Sequence, residues 1–367
     1  MAKATGFGDD RVKHALGSKE ERESKWSRKF SSATYVKGLI EEVVPPVVNE
    51  DPVLTEDQSL DLFDDSDSSD APVSPPVVPS GGLSRKQLKG KIQAGVQERV
   101  DNFWREKIGL YVMQGDYMAL IMEEGNCISW KSFMWDIPQG VLKFAINAGI
   151  NTLPTLDNLK RWGKRTNNRC PFCGNIQTLL HVLSNCNTAL DQGRYTWRHN
   201  SVLMTIIDCT RPFLDARFSL YSDLDGFQAP HGGVIPPDVL VTRFKPDLFL
   251  VDESAREVVL LELTCPWDDN ISRSHDFKQE KYAPLVADLS RVYKVFHFSI
   301  EVSVRGQISK NNRARLKSFA YRCCRDPKNV TKRLMAHCSR ISLLCSYSIF
   351  CARKEPTWSS PRLLLVR

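Results

Sequence analysis

Two hydrophobic periods divide this chain. Between residues 86 and 108 the apolar positions Leu88, Ile92, Val96, Val100 and Trp104 fall four apart, the spacing of one helical face, among many Lys and Arg. The same period predicts helices over 113–124, 140–147, 156–163 and 195–208, with Pro138 and Pro154 as starts or breaks. After residue 240 the pattern changes. Residues 240–251 are rich in β-formers, 257–263 is a short apolar run suited to a buried strand, and 295–304 alternates as a strand does. A helix over 272–292 separates the last two, with Phe277, Tyr282, Leu285, Val286 and Leu289 on or near its apolar stripe and Pro284 as a kink or restart. A basic, cysteine-containing helical stretch follows over 313–351. Helix–strand–strand–helix–strand is the order of a mixed α/β sheet flanked by helices.

The first eighty residues read differently. Residues 45–82 are rich in Pro, Val, Ser and Asp, with an acidic run from Asp61 to Asp70. Such a segment buries too little apolar surface to offset its ordering entropy, so residues 1–83 are expected to form a disordered acidic arm and linker. The other expected divisions are a helical basic region over 84–192, a sheet-containing core over 193–310 and a helical basic extension over 311–367. Charge follows the same division. Residues 1–84 hold 9 Lys and Arg against 16 Asp and Glu, and the remainder holds 41 against 27. A basic body with an acidic arm suits a polyanion partner. No run of eighteen apolar residues exists and the N-terminus lacks a secretory pattern, so no membrane partner is expected. The 11 cysteines then argue for thiols and metal ligation over disulfides, the more so because Cys323 and Cys324 are adjacent.

Four of those residues have zinc-ligand spacing. Cys170 and Cys173 form a C-x2-C knuckle, and His181 and Cys186 follow at intervals that complete a tetrahedral set. A regular helix would point His181 and Cys186 about 140° apart, so the helix carrying His181 is expected to end before Cys186. With all four positions filled by protein, the zinc is structural. Lys160, Arg161, Lys164, Arg165 and Arg169 surround Trp162 just upstream, a mix suited to a nucleic-acid backbone and a stacked base.

A second constellation lies downstream. Asp247 follows Pro246, and Glu262 stands inside an otherwise apolar strand. A carboxylate between Leu261 and Leu263 is costly to bury unless compensated, and a Mg²⁺ ion, which favours hard oxygen ligands, would compensate it. Pro246-Asp247…Glu262-x-Thr264 follows the PD-(D/E)xK pattern with threonine in the lysine position. Lys278 and Lys281 on the next helix offer a replacement ammonium, with Lys281 preferred because Tyr282 anchors its register. His199 reads as structural or as a phosphate contact. No Walker, dinucleotide-glycine or kinase motif is present, so no small-molecule cofactor is expected.

Taken in order, these motifs resemble the C-terminal region of non-LTR retrotransposon proteins that carry a restriction-like endonuclease. The resemblance covers roughly residues 86–358. It runs through Pro138-Gln-Gly-Val-Leu-Lys-Phe, Asn151-Thr-Leu-Pro-Thr, the zinc motif, Gly193-Arg-Tyr-Thr-Trp-Arg-His-Asn200, Lys245-Pro-Asp, Glu262-Leu-Thr-Cys-Pro-Trp and Ala352-Arg-Lys-Glu-Pro-Thr-Trp358. It implies a PD-(D/E)xK restriction-endonuclease-like fold that cleaves DNA to expose a 3′ hydroxyl. Asp247, Glu262, Lys278 and Lys281 would be catalytic, with Mg²⁺ on the two acids. In the family a similar Lys-x-x-Lys-Tyr follows the second acid. DNA, with RNA as a second polyanion, would be the partner, and the nucleus the location. No reverse transcriptase is read in this chain, so an element fragment or host-retained derivative is expected. The alternative is a catalytically decayed zinc-containing nucleic-acid-binding protein, which Thr264 favours.

Overall fold

The structure is a computed structural model that describes residues 84–110, Tyr117, Ile121, 134–230 and 232–361. The acidic arm and linker expected over 1–83, and most of the helix expected over 113–124, lie outside the described residues. The chain divides into two units, Met1–Lys107 and Ile108–Arg367. Of the first, the described part is Ser84 and all but the last two residues of helix α1 (Arg85–Gly109). Ser84 and Gln87 start it with a reciprocal cap. The Gln87 N–H donates to Ser84 Oγ at 3.3 Å, and the Ser84 N–H donates to Gln87 Oε1 at 2.9 Å.

The second unit is a mixed α/β body. Its elements are α2 (Gln139–Gly149), α3 (Leu156–Arg161), a π-helical turn (His181–Asn185), α4 (Asn187–Asp191), α5 (Arg194–Thr210), β1 (Ser219–Ser222), β2 (Leu248–Asp252), β3 (Glu257–Thr264), α6 (Ile271–Leu289), β4 (Lys294–Glu301), α7 (Lys310–Cys323) and α8 (Pro327–Cys351). The sheet has the order β1-β2-β3-β4. The first three strands are antiparallel, and β3 pairs in parallel with β4 across the α6 crossover.

Both sheet faces are covered, which explains the unbroken apolar runs in β2 and β3. One face carries Leu248, Leu250, Val259, Leu261 and Leu263 against α5, α7 and α8. The other carries Phe249, Val251, Val258 and Leu260 against Tyr282, Leu285 and Leu289 of α6. Truncating one such leucine to alanine typically costs about 2–5 kcal/mol. Helix α8 begins at the Asp326 cap with Pro327 in its first turn, where the missing N–H costs nothing. It is long and apolar enough to cross a membrane by length and composition alone. Here it lies against α5, α7 and α2, with Leu334, Cys338, Leu343 and Cys345 fully buried.

One strand reading needs correction, and one strand was not read. The β-rich 240–251 segment forms a strand only over Leu248–Asp252, and Pro246 just before it has no N–H to offer the ladder. Strand β1 is too short for its sequence to show a period.

Candidate functional site

The knuckle is built by local turns. Gly174 takes φ 76°, a left-handed value open to glycine, and its N–H donates to the Cys170 carbonyl at 2.9 Å. The Cys170 N–H donates to the Asn175 carbonyl at 2.7 Å, closing the loop on itself. His181 opens the π-helical turn, which ends at Cys186 with an extended backbone (φ −89°, ψ 114°). That break is the expected one, and it lets both side chains face one point.

Among the described residues, the ligand atoms of Cys170, Cys173, His181 and Cys186 all lie within 4.8 Å of one another. Cys173 Sγ is 3.3 Å from His181 Nε2 and 3.8 Å from Cys186 Sγ. Zinc–sulfur bonds of about 2.3 Å at the tetrahedral angle put two sulfurs about 3.8 Å apart, so the donor set fits zinc. Burial lowers the His181 pKa, which keeps its imidazole neutral and able to ligate. Burial pushes the Cys186 thiol up to about 11, so it gives up its proton on binding metal and not before. At Cys170 burial also opposes the thiolate, but the backbone N–H groups of Phe172 and Cys173 outweigh it and the pKa falls.

Helix α5 joins this centre to the acidic one, and four residues of its Arg-Tyr-Thr-Trp-Arg-His run have visible tasks. Arg194 donates to the Ala352 and Glu355 carbonyls at 2.7 and 2.8 Å and so clamps the segment after α8. The Tyr195 hydroxyl accepts the Cys186 N–H at 3.1 Å and faces the His181 and Val182 carbonyls at 3.2 and 3.1 Å. Arg198 is buried and donates to the Leu183 carbonyl and to Ser346 Oγ. One helical turn beyond Tyr195, His199 reaches the end of the sheet.

There the two acids converge. The register of β2 on β3, extended one step past Leu248↔Leu261, sets Asp247 opposite Glu262. The Asp247 N–H donates to Glu262 Oε1 at 3.1 Å, and Asp247 Oδ2 accepts the Leu263 N–H at 2.7 Å. From α6, Lys278 Nζ donates to Glu262 Oε2 at 2.7 Å and lies 4.0 Å from Asp247 Oδ2. Lys281 goes elsewhere. Its Nζ lies 3.3 Å from the Tyr282 hydroxyl and 4.7 Å from that ring's centre, so Lys278 is the lysine that meets the carboxylates. Tyr282 in turn donates to the Lys245 carbonyl at 2.8 Å, tying α6 to the Lys-Pro-Asp segment.

Electrostatics pull the acids apart. Burial and then the Asp247 charge raise Glu262 to about 7, against the attraction of Lys278. Burial also opposes ionisation of Asp247, but the hydrogen bond and charge of His199, with Lys278 beside it, lower its pKa. His199 Nε2 stands 3.4 Å from Asp247 Oδ2 and 3.2 Å from the Leu263 carbonyl oxygen. A cleft of about 440 Å³ opens beside this group, lined by Tyr195, His199, Asn200, Asp223, Asp247 and Cys265 among others.

The upstream basic residues Lys160, Arg161, Lys164, Arg165 and Arg169 are all exposed, and Trp162 is 43 % exposed. Arg161 pairs with Asp157 at 2.7 Å, and Arg169 donates to the Gly174 carbonyl at 3.0 Å inside the knuckle loop. Sequence reasoning missed Tyr195 and Arg198 and left His199 without a defined partner. The signal available was the density of polar and aromatic residues opening one predicted helix.

Residues 111–192 match the family model described as zinc-binding in reverse transcriptase. The cysteine–histidine tetrad falls inside that match. Together they support a zinc-binding region of retrotransposon type. No curated protein matches the chain.

Proposed function

We propose that this chain is a zinc-containing, divalent-metal-dependent DNA endonuclease module derived from a non-LTR retrotransposon, acting in the nucleus. One observation carries the reading. A partly buried lysine from α6 meets two carboxylates, one just before β2 and one on β3, on one side of the sheet, with Lys278 Nζ 2.7 Å from Glu262 and 4.0 Å from Asp247. Paired acids beside an ammonium suit phosphodiester hydrolysis.

Asp247 and Glu262 would hold the ion, which supplies an activated water and neutralises charge on the phosphate. Lys278 orients that water or stabilises the developing negative charge. The N–H groups of Asp247 and Leu263 fix the carboxylates through backbone geometry, so little reorganisation is needed at the moment of reaction. The exposed cations around Trp162 would track the DNA backbone, and the zinc knuckle would brace the turn that carries them.

The test is nicking of supercoiled plasmid by the zinc-loaded chain with Mg²⁺ or Mn²⁺. Asp247→Asn is expected to lose at least about 10²-fold in rate, as expected for a lost transition-state contact. Equal cleavage by the variant and the parent would remove the mechanism. A second reading has one observation in its favour. Both Glu262 oxygens are already engaged, by the Asp247 N–H and by Lys278. DNA binding with no cleavage under either ion would make the chain a nucleic-acid-binding protein without chemistry.

A further inference from the structure

His199 Nδ1 lies 3.0 Å from Asn200 Oδ1. Its Nε2 faces two oxygens, the Leu263 carbonyl at 3.2 Å and Asp247 Oδ2 at 3.4 Å. A single N–H is shared between the two, and each separation is longer than the most common N–H···O distance of about 2.9–3.0 Å. Donor atoms about 2.1–2.2 Å from an ion and at right angles to one another stand about 3.0–3.1 Å apart. These contacts match the edges of a coordination polyhedron as well as they match a shared hydrogen bond, so the same three atoms could hold an ion.

The neighbouring backbone points the same way. The β2–β3 register, continued past Leu248↔Leu261, sets Pro246 opposite Leu263. Proline has no N–H to offer that carbonyl across the ladder. The Leu263 N–H is taken by Asp247 Oδ2, which turns the carboxylate toward the same spot. The proton that His199 shares with these oxygens leaves Nε2 when an ion binds; the ring then donates Nδ1–H to Asn200 and presents the Nε2 lone pair to the point that both oxygens face.

We propose that His199 is a ligand of the acidic centre, and that the resulting nitrogen–oxygen donor set takes Mn²⁺ ahead of Mg²⁺. The proposal rests on the metal-dependent reading above. An all-oxygen site serves Mg²⁺ well, whereas an imidazole nitrogen favours first-row transition ions. The donors come from three places in the sequence: the second turn of α5, the residue before β2 and the end of β3.

The test uses the full chain with its zinc site loaded. Mn²⁺ and Mg²⁺ are titrated by calorimetry, and bound Mn²⁺ is read by pulsed electron paramagnetic resonance for coupling to ¹⁴N. The parent chain is expected to bind Mn²⁺ at least about tenfold tighter than Mg²⁺ and to show the ¹⁴N coupling. His199→Ala is expected to lose the coupling and to bring the Mn²⁺ to Mg²⁺ affinity ratio close to one. His199→Gln, which keeps bulk and a hydrogen-bonding end, guards against a folding defect and is expected to behave alike. Asp247→Asn must abolish Mn²⁺ binding, which assigns the signal to this centre and not to His181. If both His199 variants keep the coupling and the affinity ratio, the ligand role is overturned while the carboxylate centre stands. If the parent binds neither ion beyond its zinc, the ligand role and the endonuclease reading fall together.

Discussion

Replacing Tyr195 with phenylalanine isolates what α5 contributes to the zinc centre. The ring stays in place beneath the Arg198 guanidinium, 5.5 Å from its centre, and only the hydroxyl is lost. That hydroxyl accepts the Cys186 N–H at 3.1 Å and faces the His181 and Val182 carbonyls at 3.2 and 3.1 Å. Cys186 is buried, so its N–H has no water to turn to and the loss should cost about 1–3 kcal/mol. Outer partners of metal ligands typically change metal affinity by about 10–100-fold, which is about 1.4–2.7 kcal/mol. The two routes give the same magnitude, as they should if the hydroxyl acts by holding Cys186 and His181 in ligating position. Zinc affinity is measured by competition with a chromophoric chelator, and stability by calorimetry with zinc bound and after chelation. Tyr195→Phe should weaken zinc by about 10–100-fold and lower the zinc-loaded melting temperature by several degrees, given about 2–4 °C per kcal/mol for a body of this size. After chelation, parent and variant should melt much closer together. Equal losses with and without zinc would make Tyr195 an ordinary core residue and refute the coupling.

Lys278→Met should abolish metal-dependent nicking, whereas Lys281→Met should leave most of it, because only Lys278 reaches the carboxylates; equal losses in the two variants would contradict that assignment. Burial, with His275 and Lys278 nearby, lowers His297 to about 4. A histidine held neutral in the fold contributes stability above its unfolded pKa of about 6.5 and loses it as pH falls toward 4, because the unfolded chain takes up the proton first. His297→Gln should therefore flatten the fall in melting temperature between pH 6.5 and 4.5, and an unchanged slope would assign the acid sensitivity to other groups.

Local chemistry was legible in the sequence, and convergence across elements was not. The zinc tetrad reads directly, since its four residues lie within seventeen positions and tight turns bring them together. Strand β3 is legible as a short unbroken apolar run buried on both faces, and helix α6 by the apolar stripe it buries. Lys278 and Lys281 could not be separated by sequence. Three positions along a helix leave them about 60° apart, and which one meets Glu262 depends on how α6 is rolled on the sheet. The Tyr282 hydroxyl bond to Lys245 and the burial of Leu285 and Leu289 set that roll, with Lys278 inward and Lys281 against the Tyr282 ring. The His199 contact with Asp247 spans 48 residues and two layers, and no local period announces it.

Threonine at position 264 makes sense in that layered arrangement. Thr264 follows Glu262 by two residues on β3, so both face α6, and the Thr264 Oγ1 is buried without a hydrogen-bond partner among the described residues. A lysine there would lie alongside Glu262 on the same strand and would need no helix to bring it to the acid. With the short threonine, the positive charge arrives from the facing helix, and Lys278 closes on Glu262 at 2.7 Å with 17 % of its side chain exposed. The consequence is mechanical. A centre whose acids and base share one hairpin keeps its geometry through ladder hydrogen bonds alone. This one also needs α6 seated by Tyr282 and α5 seated by Arg194, Tyr195 and Arg198. Substitutions that unseat either helix should therefore damage the acidic centre without touching a carboxylate, and the zinc knuckle, bound to α5 through Tyr195, belongs to that support.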